Sequence, residues 1–366
     1  MMNKYYVKKN KPSVSLNGIL FKIVLFSLLF IGFLDAQEPY RVGTTTANFL
    51  EVGVGSDMIA MGGACVSVGG RLSSIYWNPA GLAFLEQNEA MFMYQPWVID
   101  INSSHVSMAI ILPRVGTLAA GFTHFGFGEM AVTTLEYQEG TGENFTANDY
   151  SFNLSYSRKL AQWFAFGATA KYVNSQIWHT KANALALDLG VIVNTGFFAF
   201  GGDYENGMRI GMSISNYGTK MRYDGMDLLF PIDILPNEAG NYSSVKGQFK
   251  MQEWELPLIF RIGVSLQPIV LRNQRLLIAA DALHPNNNSE SVNVGAEYQF
   301  SFPGTATLFL RTGYKSLFMV DSEFGMTYGG GLILRFLNNY TVKVDYAFKP
   351  IGILGNAHSY TVGVQF

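Results

Sequence analysis

Tyr340-Thr341-Val342-Lys343-Val344-Asp345-Tyr346-Ala347-Phe348 is the stretch whose reading decides the fold. Positions 340, 342, 344, 346 and 348 are large and apolar, whereas 341, 343, 345 and 347 are small, polar or charged. A repeat of two residues is the signature of an extended strand with two different faces. The same alternation closes the chain, where Tyr360, Val362, Val364 and Phe366 interleave with Thr361, Gly363 and Gln365. It recurs at Val292-Val294-Ala296-Tyr298-Phe300 and at Phe152-Leu154-Tyr156. A soluble sandwich would also alternate, but its outward face would be charged. Here the second face is mainly Gly, Ser, Thr and Asn with a few Arg, Lys and Asp.

Working outward, about fourteen such segments fall near 89–98, 104–112, 116–125, 149–159, 163–178, 183–195, 207–216, 255–266, 274–283, 289–300, 304–315, 325–336, 339–348 and 355–366. Most have the nine to twelve residues that a tilted strand needs to cross a bilayer. An even count puts both ends of the strand array on one side. Parity then places the short connections 113–115, 160–162, 301–303 and 337–338 on that side and the long segments 126–148 and 217–254 on the other. Short periplasmic turns and longer outer loops are the asymmetry of a membrane barrel. The expected fold is therefore all-β, a transmembrane antiparallel β-barrel of about 14 strands.

Composition agrees. Charged residues are 14% of the 366, against roughly 25% in soluble domains, and the chain carries 28 Phe, 19 Tyr and 38 Gly. After the N-terminus no run of about 18 apolar residues occurs, which removes helical spans. A formal charge of −2 gives no basis for a nucleic-acid partner. Cys65 is the single cysteine, so no intrachain disulfide can form and a small buried side chain is the simplest role.

Lys4, Lys8, Lys9, Lys11 and Lys22 precede the apolar run 23–34, and Asp35-Ala36 follows; residues 1–36 read as a signal peptide, with Gln37 as the mature start. Residues 37–88 form a leader and a compact hatch, and 89–366 the barrel. The hatch, Gly62–Ala83, is rich in small residues and ends in Trp77-Asn78-Pro79-Ala80-Gly81. Asn caps and Pro suits the first helical position, so a turn and a short helix over 80–85 are expected. A Gly-rich segment with poor strand periodicity ahead of a long all-β region fits inside the barrel, with Gly62 and Gly63 allowing close packing and Trp77 as anchor.

The lumen-facing set includes Lys171, Arg209, Arg261, Asp281, Glu297, Arg311, Arg335, Lys343 and Asp345. Both signs occur, consistent either with pairing to one another or the hatch, or with simple solvation. In the 217–254 loop, Met226, Leu228, Leu229, Phe230, Ile232, Ile234 and Leu235 form an apolar cluster where exposure to solvent is expected. Such a tip marks a partner, a lipid or a ligand gate, or folds back on itself. No nucleophile–base, P-loop or zinc pattern occurs, and the five His are scattered. Neither an enzyme, a cofactor nor a metal site is expected. Gly329-Gly330-Gly331 lies in a strand, where a bend or close contact explains it better than a phosphate cradle.

Met61-Gly62-Gly63-Ala64, followed by Tyr76-Trp77-Asn78-Pro79-Ala80-Gly81-Leu82-Ala83, resembles the N-terminal hatch motif of FadL-like outer-membrane barrels, the long-chain fatty-acid transporter type. Phe49-Leu50-Glu51-Val52-Gly53-Val54-Gly55 and Leu256-Pro257-Leu258-Ile259-Phe260-Arg261-Ile262-Gly263 resemble the PorV/PorQ branch, associated with type IX protein secretion. The resemblance implies a fourteen-stranded barrel with a plugged lumen in a Gram-negative-type outer membrane. It implies membrane lipid as surroundings and a secretion translocon and exported cargo proteins as partners. The broader family implies the alternative, transport of fatty acids or other hydrophobic small molecules. One departure is Gly69-Gly70-Arg71, which stands where relatives usually carry small and acidic residues.

Overall fold

The computed structural model describes residues 41–98, 101–200, 206–240, 245–319, 322–336 and 340–366. The expected signal peptide, 1–36, lies outside the described residues.

Fourteen antiparallel strands form the wall: β1 (Glu89–Pro96), β2 (Asn102–Leu112), β3 (Gly116–Ala131), β4 (Asn144–Ala161), β5 (Phe164–Ile177), β6 (Thr180–Asn194), β7 (Arg209–Gly218), β8 (Ile259–Val270), β9 (Gln274–Pro285), β10 (Ser291–Phe302), β11 (Ala306–Leu317), β12 (Met326–Phe336), β13 (Tyr340–Pro350) and β14 (Asn356–Gln365). Each pairs with its sequence neighbour, and β1 pairs with β14 from Glu89↔Gln365 to Tyr94↔Tyr360, which closes the barrel. Closure leaves no edge strand, so every backbone group in the bilayer finds a partner. No described helix is long and apolar enough to cross a membrane.

Phe92, Val106, Leu154, Leu187, Leu310 and Val362 are exposed on the outer surface, while the residues between them are buried toward the lumen. A surface so apolar is stable only against lipid. The alternation at 340–348 thus separates a lipid face from a lumen face.

One expectation about length needs correction. β3 and β4 run to 16 and 18 residues, so the outer connection between them is only 132–143 rather than 126–148. The ladder continues past Gly126 through a register shift between Gly126 and Glu129, and an extra residue in one strand lets pairing resume beyond an apparent turn. The 217–254 segment contains a small hairpin, Leu229–Ile232 paired with Val245–Gln248. The connection 195–208, on the side of the strand termini, is also long, and Phe197, Phe198 and Phe200 are exposed there. Together with exposed Trp163 on the adjacent turn, it supplies aromatic side chains at that interface.

Residues 45–85 pack inside the lumen, from its outer mouth toward the side of the strand termini. Thr45 bridges Glu255 and Thr46 N donates to Glu255 O (3.0 Å), on the side opposite the strand termini. Phe49 and Leu50 pack there with Phe125, Val173, Met221 and Leu256. Met58, Met61, Cys65 and Trp77 occupy the middle against Met93, Leu277 and Ala347. Leu72, Ile75, Leu82 and Leu85 lie toward the other end with Met91, Ala109 and Ala119. The chain therefore enters at the outer mouth and descends to β1.

Candidate functional site

The segment in the lumen is a series of short turns joined by hydrogen bonds to the wall. Ser74–Trp77 is one helical turn and Pro79–Phe84 a 3₁₀ helix, where the sequence suggested a helix over 80–85. Asn78 stands between them with 0% exposure. Its Oδ1 accepts from Ala80 N at 3.1 Å, capping the 3₁₀ helix, with Pro79 at the first position. Its Nδ2 donates to Val66 O at 2.6 Å within the plug and to Val191 O at 3.1 Å in β6. One amide thus caps a helix, folds the plug and ties it to the barrel. Asn78→Ala is expected to lose about 1 kcal/mol for the cap and about 1–3 kcal/mol for buried partners left unpaired. Denaturant unfolding in detergent reads this; a native midpoint would show that the wall bond contributes nothing.

Trp77, 7% exposed, donates Nε1–H to Val54 O at 2.8 Å, and its carbonyl accepts from Ser213 Oγ at 3.1 Å. The ring lies against Gly53 and Gly63, where added Cβ atoms would fall 2.9 Å from it. Pro79, Ala80 and Gly81 are buried beside it. Gly62 and Gly63 have φ of +68° and +76°, which favours glycine, and Gly62 lies against the Tyr314 backbone of β11. Ser56 hydrogen-bonds Thr361 and Ser359 of β14, and Thr327 of β12 donates to Ala60 O at 3.0 Å.

The wall carries a matching groove of glycines. A Cβ at Gly167 would lie 2.3 Å from Pro79 C, at Gly211 2.2 Å from Val66 O, and at Gly313 2.3 Å from Met61 C. Plug backbone therefore lies directly on barrel backbone. Sequence reading recognised a small-residue face but not these positions; the available signal was inward-phase glycine on separate strands. Within the Gly329–Gly331 run, Gly329 lies against Ala60 and Gly331 against the Arg311–Asp345 pair.

The lumen charges are mostly paired. Asp281 accepts from Cys65 N (2.6 Å) and Val66 N (2.8 Å). Arg71 bridges Asp57 (3.5 Å) and Glu297. Arg311 contacts Glu297 and Asp345 at 2.5 Å each. Lys171 pairs with Asp188 at 2.6 Å and Lys343 with Glu89 at 2.8 Å. Arg261 lies over the Tyr76 and Trp77 rings, and Arg209 over Phe84. The Arg71 departure thus has a partner: its cation meets Glu297 on the wall. Cys65 is buried and free.

On the outer side, Met226, Leu229, Ile232, Ile234 and Leu235 are exposed, Leu228 and Phe230 half-buried. Phe230 stacks on Phe249 at 4.3 Å across the hairpin. Asp227 anchors the loop to the β5–β6 turn, accepting from His179 N (2.9 Å) and Thr180 Oγ1 (3.1 Å). Asp224 lies opposite Lys181 in a short backbone ladder to β6, and its Oδ1 accepts from Gln248 Nε2. The structure does not bring hatch and loop cluster together. They occupy different levels, linked through Thr45 and Glu255.

The family model for "Type IX secretion system protein PorV" matches residues 35–233, more than half of the chain. The chain belongs to the PorV family. It is accordingly an outer-membrane β-barrel of a Gram-negative-type bacterium and a component of type IX secretion. Among curated proteins none matches. The fold is similar to the CymD monoaromatic hydrocarbon channel, at 11% identity, TM-score 0.54, covering 86% of this chain and 98% of that one. It is likewise similar to the Pseudomonas putida toluene transporter TodX (11%, 0.52, 85% and 96%) and the Ralstonia pickettii toluene transporter TbuX (9%, 0.51, 85% and 97%). These likenesses show that the PorV-family chain shares the barrel fold of those channels.

Proposed function

We propose that this PorV-family barrel captures exported cargo or the secretion translocon at the cell surface through the loop cluster Met226, Leu228, Leu229, Phe230, Ile232, Ile234 and Leu235, while the hatch, residues Gly62, Gly63, Trp77, Asn78, Pro79, Ala80 and Gly81, occludes the lumen. The observation that carries the reading is the exposed apolar loop face held on a hairpin and anchored to the rim through Asp227. A soluble-facing surface keeps such a patch when a partner covers it. The plug's many ties to the wall support a role in which the barrel presents a surface rather than a path. Deleting 226–236 is expected to abolish co-purification of secreted cargo while the barrel still folds. Undiminished cargo capture by that variant would count against the proposal.

A second reading, passage of hydrophobic small molecules such as fatty acids, draws on the apolar outer part of the lumen around Phe125, Val173, Met221 and Leu256. Native mass spectrometry of the purified barrel separates the two, since a transporter is expected to retain lipid in the lumen. In either case the chain acts by binding, without catalytic chemistry.

A further inference from the structure

Below the plug, on the side of the strand termini, the barrel encloses a cavity of about 920 Å³. Its roof is the plug segment Gly69–Ser73 and Phe84–Gln87, and its walls are the periplasmic ends of the strands. Seven basic and five acidic side chains line it, in a protein whose net charge is −2. The acids are mostly spent. Asp57, Glu297 and Asp345 are engaged by Arg71 and Arg311, and Glu89 by Lys343.

What remains is an arc of basic side chains at the mouth. Lys159, Arg275 and Arg335 lie at periplasmic strand ends, in phase with the buried inward residues Ser157, Leu277 and Gly331. Among the described residues Arg275 and Arg335 form no ion pair, and Lys159 lies over the Phe84 ring at 4.5 Å. A second observation points the same way. Gln267, which lines the cavity, is 4% exposed, and its Oε1 has no hydrogen-bond partner among the described residues. A buried acceptor facing a cavity is satisfied by a donor that enters it.

We propose that this vestibule binds an acidic peptide segment presented from the periplasm. Carboxylates suit the arginine forks, which hold them in two parallel hydrogen bonds. A backbone N–H of the same peptide suits Gln267 Oε1, which has no hydrogen-bond partner among the described residues. The plug roof closes the site from the outer side, so the ligand arrives and leaves through the periplasmic mouth. The site lies at the opposite end of the barrel from the 226–236 loop, and its occupation is independent of what that loop binds.

The test uses the full-length mature barrel in detergent micelles, with fluorescein-labelled hexa-aspartate, hexa-serine and hexa-lysine as probes and inorganic phosphate as competitor. Hexa-aspartate is expected to bind, with an affinity that falls as salt rises, and the other peptides not to bind. Arg275→Gln and Arg335→Gln are each expected to weaken binding about tenfold. Gln267→Leu is expected to weaken binding of hexa-aspartate, which loses the acceptor for its backbone N–H. Deleting 226–236 is expected to leave all of this unchanged, which separates the site from the cargo reading. Equal binding of hexa-serine, unchanged affinity in the arginine variants with an intact heat-modifiable barrel, or full displacement of the peptide by phosphate at equal charge would each overturn the proposal.

Discussion

Gly313→Val is expected to give a barrel that assembles but cannot seat its plug, with conductance across a planar bilayer raised well above that of the native protein. The cause is local and steric. The first side-chain carbon at position 313 would stand 2.3 Å from Met61 C and 2.4 Å from Gly62 N. Those are backbone atoms, and they cannot rotate away as a side-chain tip could. Gly62 is itself confined, with φ +68° and the Tyr314 backbone 3.0 Å from where a Cβ on it would stand. Overpacking of a tight core costs about 1–3 kcal/mol when neighbours can shift; here the relief available is to lift the 58–66 segment off the wall. The same displacement would expose Arg71 to trypsin. Gly330→Ala is the matched control, because its added carbon would meet only Phe309 O at 3.4 Å. Native conductance and native protease resistance in Gly313→Val would show that the plug tolerates a wall it does not touch backbone to backbone.

The second large effect is expected at Arg311. Its guanidinium lies between Glu297 and Asp345 at 2.5 Å each, 6% exposed, and over the Phe309 ring at 4.7 Å. Arg311→Ala leaves Asp345 without a cation and Glu297 with Arg71 alone. Breaking one member of a buried ionic cluster costs about 3–5 kcal/mol, since the desolvated charges it leaves have no compensation. Because Arg71 belongs to the plug and Arg311 to the wall, the loss is expected to appear twice. It lowers the temperature at which the folded band is lost on heat-modifiability gels, and it raises plug proteolysis. Arg311→Lys, which keeps the charge but not the fork, is expected to recover part of the first and little of the second. A variant as heat-stable as the native barrel would show that solvent reaches these groups.

The strands were legible because lipid imposes a stringent chemical demand: at 340–348 and 360–366 each outward position is apolar, and each inward one is free of that demand. The hatch was legible from its composition and from Asn78-Pro79. Its partners were not. Glu297 lies 226 positions from Arg71, and no local pattern announces that pairing. Gly167, Gly211 and Gly313 read as generic small residues, because glycine carries no side chain to declare which surface approaches it. The extension of β3 and β4 was hidden by Gly126 and Gly128, which mimic a turn while serving a register shift. The loop hairpin was masked by Pro231, a residue that weakens any strand reading. Legibility followed the environment: a uniform solvent such as lipid writes a repeat into the chain, whereas a single contact does not.

Ser56, near the start of the described chain, bonds Thr361 in the last strand, 305 positions away, and Thr327 reaches back to Ala60 across 267. Those tethers cannot form until the last strands have been laid down beside β1. Contacts this distant in sequence carry a large loop-closure cost and set the pace of folding. A segment made before every strand of the wall is therefore the one that settles last, and its docking marks the moment at which the cylinder is complete.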